Sequence, residues 1–265
     1  MEQLALANDR DTLSLSILTD SHLFADPEGT LLGVPCWQSF QDCLAMMESQ
    51  SQFDAWLLTG DLAQDHQLVT YQRLATLMAE RQQPWFWLPG NHDDPAAMID
   101  AMGPRVRRLL GRHWQVLLLD SHQPGQVSGW LSDAELDWVS QHADDSLHTL
   151  VVLHHHPLAL GSVWLDQHQL VNGQALLQRL AQHRQAKAVL FGHVHQQQDF
   201  YHGATRLLAT PASCVQFTPG SDDFAVASSA PGGRHLTLHA DGRISTRILR
   251  LPEHSYPVDS QAGGY

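Results

Sequence analysis

The chain has 265 residues, 43% of them hydrophobic and 16% charged, a balance that excludes a mainly disordered chain and can bury the core of one large or two small domains. Fifteen basic against 28 acidic side chains give a formal charge of −13 with the 18 histidines neutral. Lys187 is the lone lysine and the arginines are scattered, which excludes a general nucleic-acid binder, since phosphate-backbone affinity needs clustered cations.

Up to residue 195, short apolar runs alternate with amphipathic ones. Leu13 to Thr19 reads as a strand ending at Asp20. Over 36–50, Cys36, Phe40, Cys43, Leu44 and Met47 recur at the spacing of one helical face, and Ala55 to Thr59 forms a second buried strand before Gly60-Asp61. A helix over 66–82 leads to the strand Trp85 to Leu88, whose Trp85 and Trp87 read as core. The segment Arg105 to Arg112 reads as solvated. Trp114 to Leu119 is the next strand, and the helix over 133–143 opens on Ser132 and Glu135 in capping-box spacing. Leu147 to Leu153 runs into three consecutive histidines. A loop from Pro157, a helix over 173–184 and the strand Ala188 to Phe191 then lead to Gly192-His193-Val194-His195.

Beyond that point the period changes to two. Residues 197–202 and 205–209 flank Gly203, and 235–240 and 243–248 flank Asp241-Gly242, a hairpin signal. The expectation is a single α/β domain over 1–265 closed by β-hairpins, with 1–12 and 252–265 as tails. Cys36, Cys43 and Cys214 form no close pair, so neither a disulfide framework nor a zinc ribbon is supported and a reducing compartment fits. The N-terminal segment has no basic stretch followed by an apolar core, and no run approaches ~18 apolar residues. A cytoplasmic protein without membrane or nucleic-acid partners is therefore expected, with its oligomeric state open.

In open α/β sheets, ligand groups collect in the loops beyond the carboxyl ends of the strands. Five successive strand ends here carry Asp20-Ser21-His22, Gly60-Asp61, Gly90-Asn91-His92-Asp93, His154-His155-His156-Pro157 and Gly192-His193-Val194-His195. All supply hard oxygen or imidazole donors and none a thiolate, a mixture that suits Mn, Fe(II) or Zn. Singly, the first two are also ordinary turn chemistry. In the last, residues i and i+2 of an extended segment project to one side, so a pair of imidazoles on one face is expected. The three consecutive histidines cannot all point one way, and at least one is expected to face solvent. The eleven histidines outside these boxes read as surface or hairpin residues.

This order of boxes resembles the calcineurin-like metallophosphoesterase superfamily, and more closely its bacterial class III cyclic AMP phosphodiesterases. The likeness extends to Leu31-Leu-Gly-Val, Thr59-Gly-Asp-Leu-Ala-Gln-Asp, Trp164-Leu-Asp-Gln-His and Leu208-Ala-Thr-Pro-Ala-Ser-Cys-Val-Gln-Phe. It implies a four-layer α/β/β/α sandwich with two facing mixed sheets and flanking helices. It also implies that Asp20, His22 and His195 hold one divalent ion and Asn91, His154 and His193 a second, with Asp61 bridging, the metals being Fe(II) and/or Mn(II). The family's fourth box usually reads His-His-Pro-Pro with its first histidine as ligand. Aligning Pro157 with the second proline selects His154, which keeps the box length, whereas aligning it with the first selects His155.

The resemblance further implies hydrolysis of 3′,5′-cyclic AMP to 5′-AMP by a dinuclear metal-activated hydroxide. Other small phosphoesters, such as a 2′,3′-cyclic nucleotide or a glycerophosphodiester, are the alternative, and a non-catalytic scaffold the more distant one. His92, which the resemblance leaves free of metal, is the expected catalytic acid or phosphoryl-oxygen stabiliser. Substrate contacts are implied for His22, Asp61, Asn91, His92 and His195. Asp65 and Asp93 are candidates to fix a histidine tautomer. Two carboxylates against two dications leave a formal surplus of positive charge, which attracts a phosphate even on a chain of charge −13.

Overall fold

The apolar runs become strands buried on both faces, as their lack of alternation requires. The computed structural model describes residues 3–6, 10–50, 52–143, 145–259 and 261–264. In chain order these form β1 (Gln3–Ala5), β2 (Thr12–Leu18), β3 (Thr30–Leu31), β4 (Val34–Pro35), α1 (Cys36–Gln50), β5 (Ala55–Thr59), α2 (Leu68–Ala79), β6 (Trp85–Leu88) and α3 (Pro95–Met102). There follow β7 (Arg108–Leu110), β8 (Trp114–Leu118), α4 (Asp133–His142), β9 (His148–Val152), α5 (Val163–Asp166), α6 (Gly173–Leu180) and β10 (Ala186–Phe191). The chain closes with β11 (Gln198–His202), β12 (Thr205–Ala209), β13 (Gln216–Phe217), β14 (Val226–Ala227), β15 (Gly232–His239) and β16 (Ile244–Arg250).

One mixed sheet has the order β16-β15-β2-β5-β6 and the other β1-β7-β8-β9-β10-β12-β11. Side-chain alternation assigns the layers. Leu15, Ile17, Leu57 and Leu88 of the first sheet meet Val116, Leu118, Leu150, Val152 and Leu190 of the second in a shared inner core. Trp56, Leu58 and Trp87 point the other way, onto Phe40, Leu44, Tyr71 and Leu74 of α1 and α2. On the far side, Val151, Val189 and Phe191 cover Leu136, Val139, Leu176 and Leu177 of α4 and α6. The result is the expected four-layer α/β/β/α sandwich.

Several boundaries differ from the sequence reading. Gln3–Ala5, placed in a tail, pairs in parallel with β7 as an edge strand. Near the other end, the Asp259 amide donates to the Leu32 carbonyl, and Tyr256 and Val258 pack on the core beneath α1. The segment Arg105 to Arg112 is not simply solvated: β7 pairs with β8, Arg105 donates to the Leu118 carbonyl and Arg107 pairs with Glu135. Three-residue strands are too short to show a period, which is why they escaped. α2 begins two residues later than expected because Asp65 accepts from the Gln67 amide and the Thr70 hydroxyl, forming its entry turn. α3 was unforeseen; Asp94 caps it by accepting from the Ala96 and Ala97 amides, with Pro95 at its first position. Among the described residues, no helix is long and apolar enough to cross a membrane.

Candidate metal centre

β2, β5 and β6 run parallel in one sheet, and β9 and β10 run parallel in the other. Their carboxyl ends converge. Within the first sheet the Asp20 amide donates to the Gly60 carbonyl and the His22 amide to the Asp61 carbonyl, each at 3.0 Å. Across the sheets, the His193 amide donates to the Asp20 carboxylate at 3.1 Å, and His154 Nδ1 donates to the Thr59 carbonyl at 2.9 Å. Asp20, His22, Asp61, His154 and His195 are all fully buried.

The backbone turns sharply to bring them together. Asp20, His22, Asp61, His193 and His195 all have φ between 46° and 66°, a left-handed conformation that side-chain-bearing residues seldom adopt. A Cβ on Gly192 would lie 2.1 Å from Thr19 Oγ1, and one on Gly90 would lie 2.2 Å from Asp61 Oδ1, so each glycine admits a neighbouring box. The left-handed turns also correct one expectation. Since 193 and 195 are not extended, their rings diverge: His195 joins Asp20 and His22, whereas His193 joins His154 and His155.

Hydrogen bonds decide where the imidazole protons sit. His195 Nδ1 lies 2.8 Å from the Val215 carbonyl and His22 Nδ1 lies 2.7 Å from Gln64 Oε1; both oxygens accept, so both Nδ1 atoms carry the proton. The two Nε2 atoms then face each other at 3.2 Å, next to the Asp20 carboxylate 3.3 Å from His195 Nε2. Burial pushes the His22 pKa down to about 3, so it stays neutral. Two imidazole nitrogens and a buried carboxylate converging on one point make a donor set that suits a divalent cation.

The other half of the centre shows the same need. Among the described residues, Asp61 Oδ2, Asn91 Oδ1, His154 Nε2 and His193 Nε2 are buried atoms without a hydrogen-bond partner. His154 Nε2 and Asp61 Oδ2 lie 3.2 Å apart but are not aligned for a hydrogen bond. Burial lowers the His154 pKa, yet Asp61 and then Asp20 outweigh it and lift the value to about 9, so this point stabilises positive charge. Orphaned acceptors of four separate loops, turned inward, fit divalent cations.

All three consecutive histidines are buried, contrary to the expectation that one faces solvent. His155 has both nitrogens engaged, Nδ1 with Ser121 Oγ at 2.7 Å and Nε2 with the Val127 carbonyl at 3.1 Å. His156 stacks on His193 and stands 3.6 Å from Asp166. Neither Asp65 nor Asp93 holds a histidine. Asp93 accepts from the Leu62, Ala63 and Gly90 amides and the Tyr71 hydroxyl, and so clamps the Asp61 loop to the Asn91 loop. Asp65 accepts from the Ala25 amide and from the start of α2. The groups that orient the rings of His22, His154 and His195 are Gln64 and the Thr59 and Val215 carbonyls, with Phe217 stacked on His195 at 4.2 Å. Gln64 sits in the Thr59-Gly-Asp-Leu-Ala-Gln run, three residues past Asp61, where its amide was a readable signal. Backbone carbonyls carry no such signal.

Residues 14–197 match the calcineurin-like phosphoesterase family. The chain belongs to that family. A 3′,5′-cyclic adenosine monophosphate phosphodiesterase CpdA from Vibrio vulnificus is 43% identical over 263 residues, covering 96% of each chain. The protein of the same name from Escherichia coli strain K12 is also 43% identical, over 99% of this chain and 98% of its own. A dimetal phosphatase from Danio rerio shares the fold, with a TM-score of 0.60 at 13% identity over 90% of this chain and 98% of its own.

For a calcineurin-like phosphoesterase, the acceptor that fixes a ligand ring matters almost as much as the ring. Gln64→Ala is expected to release the His22 ring and weaken divalent-metal affinity about 10- to 100-fold without unfolding the protein. Metal titration followed by calorimetry measures this, and unchanged affinity would show that His22 does not depend on Gln64.

Proposed function

We propose that the chain hydrolyses 3′,5′-cyclic AMP to 5′-AMP at a centre of two divalent cations, Fe(II) and/or Mn(II). Asp20, His22 and His195 hold one, Asn91, His154 and His193 the other, and Asp61 lies between them. The observation that carries this reading is the opposed pair of His22 and His195 Nε2 atoms, 3.2 Å apart with both Nδ1 protons committed elsewhere. His154 is chosen over His155 because both nitrogens of the latter are engaged. The names of the two bacterial relatives support the substrate.

Two dications in such a site supply a water of lowered pKa and neutralise charge on the phosphoryl oxygens. The remaining work falls to the chain. Asp61 is held rigid by the His92 amide, which donates to its Oδ1 at 2.8 Å. The same loop presents the half-buried His92 imidazole, its ring 5.1 Å from that of His22, at the open side of the centre. From there an imidazolium donates its proton to the departing 3′-oxygen, while Asn91 and the edges of His22, Asp61 and His195 face the phosphoryl group.

Purified protein loaded with Mn(II) is expected to release 5′-AMP from 3′,5′-cyclic AMP, followed by chromatography. A good rate on a 2′,3′-cyclic nucleotide or a glycerophosphodiester with none on cyclic AMP would transfer the reading to that ester. No turnover of any of them would make the chain a scaffold.

A further inference from the structure

Outside the metal ligands, His155 connects the centre to the 121–130 loop. Its two nitrogens hold Ser121 and Val127, and Gly129 packs so closely on its ring that a Cβ there would come within 2.5 Å of it. The Trp130 amide closes the loop by donating to the Ser121 carbonyl at 3.0 Å. A chain segment is thereby fastened at several points to the immediate neighbour of His154.

This loop walls a cavity of about 460 Å³, lined by His122, Gln123 and Trp130 together with Asp120, Glu135 and two arginines. The arginines already have partners. Arg107 pairs with Glu135, while Arg105 donates to the Leu118 carbonyl and stands 3.8 Å from Asp120. Such a wall offers no unanswered cation to a second phosphate. It offers instead a Trp130 side chain 43% exposed, an imidazole and the Gln123 side-chain amide, since Asp120 and Glu135 are the arginines' own partners. Those groups suit a planar, uncharged ring with N–H donors along its edge. The cavity adjoins the metal centre: His122 follows Ser121, whose hydroxyl lies 2.7 Å from Nδ1 of His155, the immediate neighbour of His154.

We propose that this cavity is the subsite for the substrate's nucleobase, with Trp130 stacking on the base and His155 acting as the positioning residue that holds its loop. The proposal rests on the cyclic nucleotide reading above, and gives the unused second histidine of the triplet a role in binding. In this arrangement the phosphoryl group and the base meet separate walls.

The test uses the full chain loaded with Mn(II) and compares the Kd of 5′-AMP with that of inorganic phosphate by calorimetry. Trp130→Ala is expected to weaken 5′-AMP about tenfold, within the range of a lost base–aromatic stack, and leave phosphate unchanged. Ser121→Ala, which loosens the hold of His155 without entering the cavity, is expected to weaken 5′-AMP in the same direction and raise KM for cyclic AMP more than it lowers kcat. Equal shifts for 5′-AMP and phosphate, or no shift for either, would overturn the subsite. The two readings separate cleanly. Base-dependent 5′-AMP binding without cyclic AMP turnover would overturn the reaction and support the subsite, whereas normal turnover with unchanged 5′-AMP affinity would do the reverse.

Discussion

Asp61→Asn is expected to lower kcat/KM for cyclic AMP by at least about 10³-fold and to reduce the bound metal below two ions per chain. Asp61 is fully buried, with Oδ1 accepting from the His92 amide at 2.8 Å and Oδ2 lying 3.2 Å from His154 Nε2 and 3.9 Å from His22 Nε2. It is thus the carboxylate that faces both ligand clusters. Asparagine preserves the shape and the hydrogen bond to the His92 amide, so the loop keeps its course while the anion between two cations disappears. The asparagine side chain also brings an N–H₂ group toward the region where His154 and Asp61 now stabilise positive charge. Metal analysis beside steady-state kinetics measures both effects. Full metal content with undiminished turnover would remove Asp61 from its bridging place.

His92→Ala should do something different. Its ring lies at the open side of the centre, half-buried and edge-on to His22, and its backbone amide rather than its side chain secures Asp61. Truncation leaves that amide in place. The expected outcome is unchanged metal content and a fall of about 10²- to 10⁴-fold in kcat, the range for losing a positioned general acid. A phosphodiester with a better leaving group than the 3′-alkoxide should recover much of the loss, because a good leaving group needs no proton. Equal losses on both substrates would assign His92 to phosphoryl-oxygen stabilisation instead, and no loss would take it out of the reaction.

The two variants differ because the centre is built from two kinds of information. Where a buried strand ends in a run such as Gly90-Asn91-His92-Asp93, polarity, strand direction and glycine are all visible in the sequence, and those residues do converge. The helical face of Cys36 to Met47 was equally legible, since Cys36, Phe40, Cys43, Leu44 and Met47, all buried, recur at helical spacing. What could not be read was geometry that depends on a turn's handedness. Extended spacing alone puts His193 and His195 on one face, whereas their left-handed φ sends them to the separate clusters to which the family resemblance assigns them. Nor did the sequence distinguish carboxylates that hold side chains from those that hold backbone. Asp93 receives three backbone amides and one tyrosine hydroxyl, and no periodicity foretells that. The short β1 and β7 pair over only three residues each, with an arginine at the head of β7, and only the completed sheet identifies them.

The proposed ligands run from Asp20 to His195, and the links between the sheets at the centre, His154 to Thr59 and His193 to Asp20, join positions 95 and 173 residues apart. No local segment carries a binding site of its own. The arrangement is complete only when the sheets have closed on their common core, so a cation would bind the closed fold in preference to any isolated segment. A cation that binds only this closed arrangement draws the folding equilibrium toward it by mass action, about 2.7 kcal/mol when free metal stands at a hundred times its Kd. Five backbone positions held in left-handed turns would draw on that same linkage. With the proposed cations bound, the supply of divalent metal would set the stability of the folded chain as well as its rate of turnover.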